Sequence, residues 1–262
     1  MELFDSHAHY NDEKFENDRE QVISSVKAEG ITKLICVGYN IKSSKEAIKI
    51  ANKYDFIYSA CGISPNDIPQ TEQELWKDIE KIKKILQTGD KKIVAIGEIG
   101  LDYYWNKENA ELQRKAFLEQ IKVANDNDLP IVIHTREAVS DTIDILKNKI
   151  DVNNKGIFHC CPLNRELVKE ALKLGFFISL AGPVTFKNSK NANEIIEMIP
   201  LDKLLIETDS PYLSPEPLRG KRNDSRNVKY IAQKIAEVKQ MKLEDIAKIT
   251  YENAERIFKM RK

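Results

Sequence analysis

The amino-acid sequence predicts an α/β fold, a TIM-type (β/α)8 barrel formed by a single domain over residues 1–262. Three observations predict it. Short β-branched apolar runs alternate with longer amphipathic segments along the chain, the rhythm of a parallel sheet covered by helices. The runs number about eight, the count that closes such a sheet into a barrel. With 42% hydrophobic and 31% charged residues, 262 residues can also bury one large core. A doubly wound open sheet shares the rhythm and is the competing architecture, ranked second by the strand count.

In chain order the strand candidates are "ELFDSH", "TKLICVG", "FIYSACG", "KIVAIGE", "LPIVIHT", "GIFHC", "GFFISLA" and "KLLIETD". The segments between them read as helices: Leu75, Ile79, Ile82 and Leu86 recur at helical spacing, as do Phe117, Ile121 and Ala124. Gly30 and Gly175 stand just before strands, where a glycine ends a helix. The tail from Asn227 to Met260 reads as a final helical pair split near Met241 to Leu243. No low-complexity segment, long linker or internal repeat interrupts the pattern.

Composition excludes several classes. The 41 basic residues balance the 41 acidic ones, so no global field draws the chain to a polyanion and any nucleic-acid contact must be local. The N-terminus carries Glu2 and Asp5 in place of a basic leader, and no apolar run is long enough to span a bilayer, so a cytoplasmic protein without a membrane partner is expected. Cys36, Cys61, Cys160 and Cys161 match neither a zinc ribbon nor a secreted disulfide framework and read as reduced thiols. The oligomeric state stays open.

The chemistry is concentrated in few residues. The sequence holds 4 histidines, and His7, His9, His134 and His159 all fall at or near the C-terminal end of a strand candidate. Alternate residues of a strand share a face, so His7 and His9 aim at one point, with Asp5 on the same face to orient a ring. Glu98 and Asp209 end two further runs, and a buried acid there needs pairing, hydrogen bonds or a metal. In a barrel these strand ends converge on the face that carries active sites. For any one position a hydrogen-bonded core histidine or a salt-bridged acid is an equal reading, but the joint placement fits two divalent ions bridged by an acid and a water. Zinc, manganese and magnesium suit such ligands to different degrees, and the affinity order favours zinc.

Several motifs in order then carry a family resemblance: "FDSHAH", "GEIGLDYY" at 97–104, "PIVIHTRE" at 130–137, "HC" at 159–160, "LLIETDSPYL" at 204–213 and "RGKRN" at 219–223. Across nearly its whole length the chain resembles the TatD family of metal-dependent deoxyribonucleases, within the amidohydrolase-like barrels. The resemblance implies a metal site of His7, His9, Glu98, His134, His159 and Asp209, with Glu98 bridging. It also implies hydrolysis of DNA phosphodiesters, often as exonucleolytic trimming. The sequence departs from the family in two places. Where "G-x-H-P-H" is common it reads "GISPND", so Ser64 and Asn66 stand at positions that elsewhere supply histidines, and "HCCPLN" replaces "HCFSG", which introduces Pro162.

The expected mechanism is two-metal-assisted hydrolysis, with Glu98 between the ions and Asp209 both a ligand and the base that accepts the water's proton. The expected partner is DNA, at single-stranded or frayed ends, gripped by Arg136 and by Arg219, Lys221 and Arg222 of the basic loop. Surface salt bridges and a solvated basic loop are the plainer readings of these cations. Tyr103, Tyr104 and Trp105 either stack on a base or wall the pocket, and Asp102 reads as a turn residue. A hydrolase of small amides, esters or lactones on the same barrel is the main alternative, and a non-catalytic, metal-stabilised adaptor is a third reading.

Overall fold

Each apolar run forms a strand, because its β-branched residues are buried on both faces as the helical segments between runs fold back over the sheet. The structure, a computed structural model, describes residues 1–260. The strands are β1 (Leu3–Ala8), β2 (Ile31–Val37), β3 (Ile57–Cys61), β4 (Ile93–Asp102), β5 (Ile131–Arg136), β6 (Gly156–Phe158), β7 (Phe177–Leu180) and β8 (Leu204–Ile206). They pair in sequence order and every pairing is parallel. The seam closes beyond β8. Ala8 and Ser210 form a parallel bridge, His9 N donates to Ser210 O (2.6 Å) and Asp209 N donates to His7 O (2.9 Å). The sheet is therefore a nearly closed barrel, and the open doubly wound alternative falls.

The helices are α1 (Arg19–Ala28), α2 (Ile41–Lys53), α3 (Glu72–Leu86), α4 (Ala110–Asp126), α5 (Val139–Asp144), α6 (Arg165–Lys173), α7 (Ala192–Met198), α8 (Val228–Lys239) and α9 (Leu243–Ile257). The predicted apolar stripes face inward: Leu75, Ile79 and Ile82 are buried on α3, and Phe117, Ile121 and Ala124 on α4. Gly30 and Gly175 follow α1 and α6 at φ +91° and +89°, the left-handed turn that frees the chain to enter the next strand. The tail forms α8 and α9, parted where the sequence predicts.

Two cores result. One lies between the sheet and the helix ring. The other fills the barrel near the strand starts, where Phe4, Val94, Val132, Phe177 and Leu205 pack with Ala254, Ile257 and Phe258 of α9 and its end. The last helix thus plugs one end of the barrel and leaves the C-terminal strand ends as the open face. Among the described residues no helix is long and apolar enough to cross a membrane. All four cysteines are free thiols.

One local expectation is corrected. Asp102 is not a turn residue outside the sheet, because β4 continues past Glu98 and pairs Gly100 with His134 and Asp102 with Arg136. Gly100 permits this: at φ +141°, a Cβ there would stand 2.0 Å from His134 O.

Candidate metal centre

Because β1 ends at the open face, its alternation brings the His7 and His9 rings together, with their Nε2 atoms 3.0 Å apart. From the opposite wall β5 supplies His134 and the end of β6 supplies His159, whose Nδ1 and Nε2 approach to 3.2 Å. Glu98 of β4 lies between the pairs. Its Oε2 is 3.4 Å from His7 Nε2 and 3.6 Å from His159 Nε2, and its Oε1 is 3.8 Å from His134 Nδ1. Asp209 completes the ring, with Oδ1 3.3 Å from His9 Nε2. It has φ +56°, and Cys160, next to His159, has φ +37°. Left-handed backbone at two non-glycine residues beside the site is strain held in place by the surroundings.

The outer nitrogens decide what the inner ones present. His9 Nδ1 meets Val37 O at 2.9 Å, His134 Nε2 meets Asp102 Oδ2 at 2.8 Å, and His159 Nδ1 meets Glu207 Oε1 at 3.3 Å. A carbonyl or carboxylate only accepts, so each outer nitrogen carries the hydrogen and each neutral ring turns a lone pair inward. Were both rings neutral, the 3.2 Å approach of His134 to His159 would set two lone pairs face to face, a clash that a proton or a metal ion between them relieves. His7 differs: its Nδ1 is buried with no hydrogen-bond partner among the described residues.

Electrostatics reinforce the demand for positive charge. Burial works against protonating His9 and His159, yet Asp209 beside the first, and Glu207 and Glu98 beside the second, raise both to about 9. Burial alone would raise Glu98 and Asp209, but the facing imidazoles hold both carboxyls below the usual range. Burial, and then the charge of His159, lowers His7. In the metal-free protein, protons supply the cationic charge that a metal would bring. Three overlapping donor sets converge within 4.8 Å: His7, His9 and Glu98; His7, His159 and Asp209; and Glu98, His134 and His159. Neutral imidazoles mixed with ionised carboxylates fit a divalent ion, and this centre can bind metal.

The remaining predicted residues divide. Arg136 lines the same cavity as Glu98, His134 and Asp209. The 219–222 loop does not: Arg222 pairs with Asp18 (2.9 Å), Arg219 lies over the Phe186 ring (4.3 Å), and Lys221 is not among the cavity's lining residues. Asp5 does not orient an imidazole either. Its carboxylate accepts from His7 N (3.3 Å) and Thr208 N (2.9 Å), so it ties β1 to the end of β8. Ser64 donates to Glu98 Oε1 (2.9 Å) and Asn66 Nδ2 to Asp102 Oδ2 (3.2 Å), so both support carboxylates of the centre.

Sequence reasoning missed Glu207 and the partnership of Asp102 with His134. For Glu207 the signal was present, since it stands two residues before Asp209, the alternation that pairs His7 with His9.

Comparison with known proteins agrees with this architecture. A family profile described as TatD related DNase matches residues 4–259. YabD of Bacillus subtilis strain 168, described as an uncharacterized metal-dependent hydrolase, is 45% identical over 260 residues, covering 98% of this chain and 99% of its own. YcfH of Escherichia coli K12, described in the same words, is 32% identical over 261 residues, covering 98% and 96%. The structure of YJJV, a TatD homologue of Escherichia coli K12, superposes with a TM-score of 0.92 at 24% identity over 98% of each chain, a likeness of fold. With a profile across nearly the whole chain and relatives this similar from end to end, the chain belongs to the TatD-related DNase family of metal-dependent hydrolases.

Proposed function

We propose that the protein is a divalent-metal-dependent nuclease that hydrolyses DNA phosphodiester bonds and trims strands from an end. The observation that carries this reading is Glu98 set between two histidine pairs whose inner nitrogens face one another. His7, His9, Glu98, His134, His159 and Asp209 would hold two ions, of zinc, manganese or magnesium. When bound, such ions acidify a water and offset charge on a phosphate. Asp209, held ionised by its imidazole neighbours, accepts the proton of the attacking water at its carboxylate. Ser64 fixes the orientation of Glu98 by donating to Oε1.

Cavity size supports a polymeric substrate over a small amide. The cavity over the centre measures about 1540 Å³, beyond the roughly 300–1,000 Å³ of small-ligand pockets. Its lining mixes acids, among them Asp12, Glu13, Glu16, Glu46 and Asp67, with the cations Lys42, Lys45 and Arg136, so a phosphate backbone would be held at these local cations and not by a general positive field. The free thiols support a reducing compartment, the cytoplasm.

The test incubates metal-loaded protein with end-labelled single-stranded and duplex DNA, and separately with a panel of small amides, esters and lactones. Stepwise shortening of DNA from one end is expected. Turnover of a small amide or lactone with intact DNA would overturn the reading.

A further inference from the structure

Beside the metal centre the cavity rim carries exposed aromatic surface. Trp105 is 67% exposed and Tyr104 is 49% exposed, a large apolar outlay for residues immediately after a strand. Their rings meet edge to face, with centroids 4.8 Å apart. The Arg136 guanidinium carbon lies over the Tyr104 ring, 3.7 Å from its centroid, and 5.4 Å from the Trp105 centroid. Among the described residues no carboxylate pairs with Arg136, whose exposed guanidinium lies against these two rings. Trp105 and Arg136 line the cavity that holds Glu98, His134 and Asp209. Across the opening Tyr212 offers less, since Lys14 already covers its ring at 4.1 Å.

The platform is fastened to the centre. Asp102 Oδ1 accepts from Tyr104 N (3.0 Å) and Trp105 N (3.1 Å), while Asp102 Oδ2 accepts from His134 Nε2 (2.8 Å). One buried carboxylate therefore fixes both the aromatic pair and an imidazole of the metal site.

We propose that Trp105, backed by Tyr104 and Arg136, is a stacking platform for one unpaired nucleobase of the substrate strand, and that it makes the enzyme select single-stranded or frayed ends. This rests on the DNA reading above. A base in a duplex has both faces stacked on its neighbours and cannot use the platform, whereas every unpaired base presents a free π-face whatever its identity. Recognition should therefore favour single strands and be tolerant of sequence. The Arg136 guanidinium beside the rings adds a cation to the platform, with N–H groups to offer the adjoining phosphate.

The experiment measures binding of metal-loaded protein by fluorescence anisotropy, using oligonucleotides whose linkages are cleavage-resistant phosphorothioates. The probes are a single strand, the same strand with abasic residues at its three terminal positions at either end, and a blunt duplex. Wild type should bind the single strand about tenfold or more tightly than the abasic or duplex probes. Trp105→Ala should lose about that factor on the single strand and little on the abasic probe, Trp105→Phe should recover most of it, and quenching of Trp105 fluorescence should accompany binding of the single strand alone. Equal binding of all three probes, or a Trp105→Ala loss as large on the abasic probe, would overturn the platform while leaving the nuclease reading intact. Failure of wild type to bind or cleave any of these strands would overturn both.

Discussion

Glu207 does for His159 what Val37 O does for His9 and Asp102 for His134: it takes the outer hydrogen so that the inner nitrogen is free. Removing the negative charge weakens that hold. Glu207→Gln is expected to lower metal affinity by about 10–100-fold, the usual cost of losing such an outer partner, read by titration with a competing chelator. Asp209→Asn separates binding from chemistry. An amide oxygen can still donate to a metal but cannot take a proton, so the variant should retain metal by elemental analysis and lose cleavage by about a hundredfold. Near wild-type cleavage with metal in place would assign the base elsewhere. Protons and metal also compete. His9 and His159, raised to about 9, hold protons below that pH, and a divalent ion must displace them. Apparent metal affinity should therefore climb from about pH 6 to about pH 9 and flatten above, and a flat profile would contradict the protonated apo-site. The six residues of the centre were legible because strand alternation and strand-end placement are written in sequence spacing. Asp102 was not, because its bond to His134 depends on the register of β4 on β5 and on the room that Gly100 leaves.

At the level of elements, the strands were legible from apolar runs and α3 and α4 from their stripes, whereas the placement of cations was not. "RGKRN" reads as a grip in one dimension, but its Arg222 is drawn to Asp18 near the start of α1 and its Arg219 to Phe186. Besides Arg19 and Arg136, the cavity takes its cations from α2, where Lys42, Lys45 and Lys49 share a face at i, i+3 and i+7. Lys49 is partnered by Glu46 (3.4 Å), so on the proposed DNA reading Lys42 and Lys45 would be the better phosphate contacts. Neutralising both with glutamine should reduce the slope of log affinity for single-stranded DNA against log salt by about 1.4, the value for two released contacts on a single strand. Arg219, Lys221 and Arg222 changed together should move the slope less. The reverse ranking would return the grip to the basic loop.

Over the whole molecule, the centre and the seam are one structure. His7 and His9 come from the first strand, Asp209 from beyond the last, and the same stretch carries the Ala8–Ser210 bridge and the Asp5–Thr208 bonds that close the barrel. A metal held across this junction binds the closed state alone. At a hundredfold excess over its dissociation constant it should add about 2.7 kcal/mol, roughly 5–10 °C in melting temperature. Chelation should remove that increment and speed amide hydrogen exchange at Asp209 and His9 more than in β3, a pattern that unchanged seam exchange would refute. The order of elements along the chain has a consequence for biosynthesis. While the polypeptide is emerging, the early strands offer His7, His9, Glu98, His134 and His159 without Asp209, the proposed base, and without α9 to plug the barrel beneath them. On the proposed mechanism a nascent copy would therefore carry ligands without their base, and hydrolytic competence would arrive only when the eighth strand folds back onto the first.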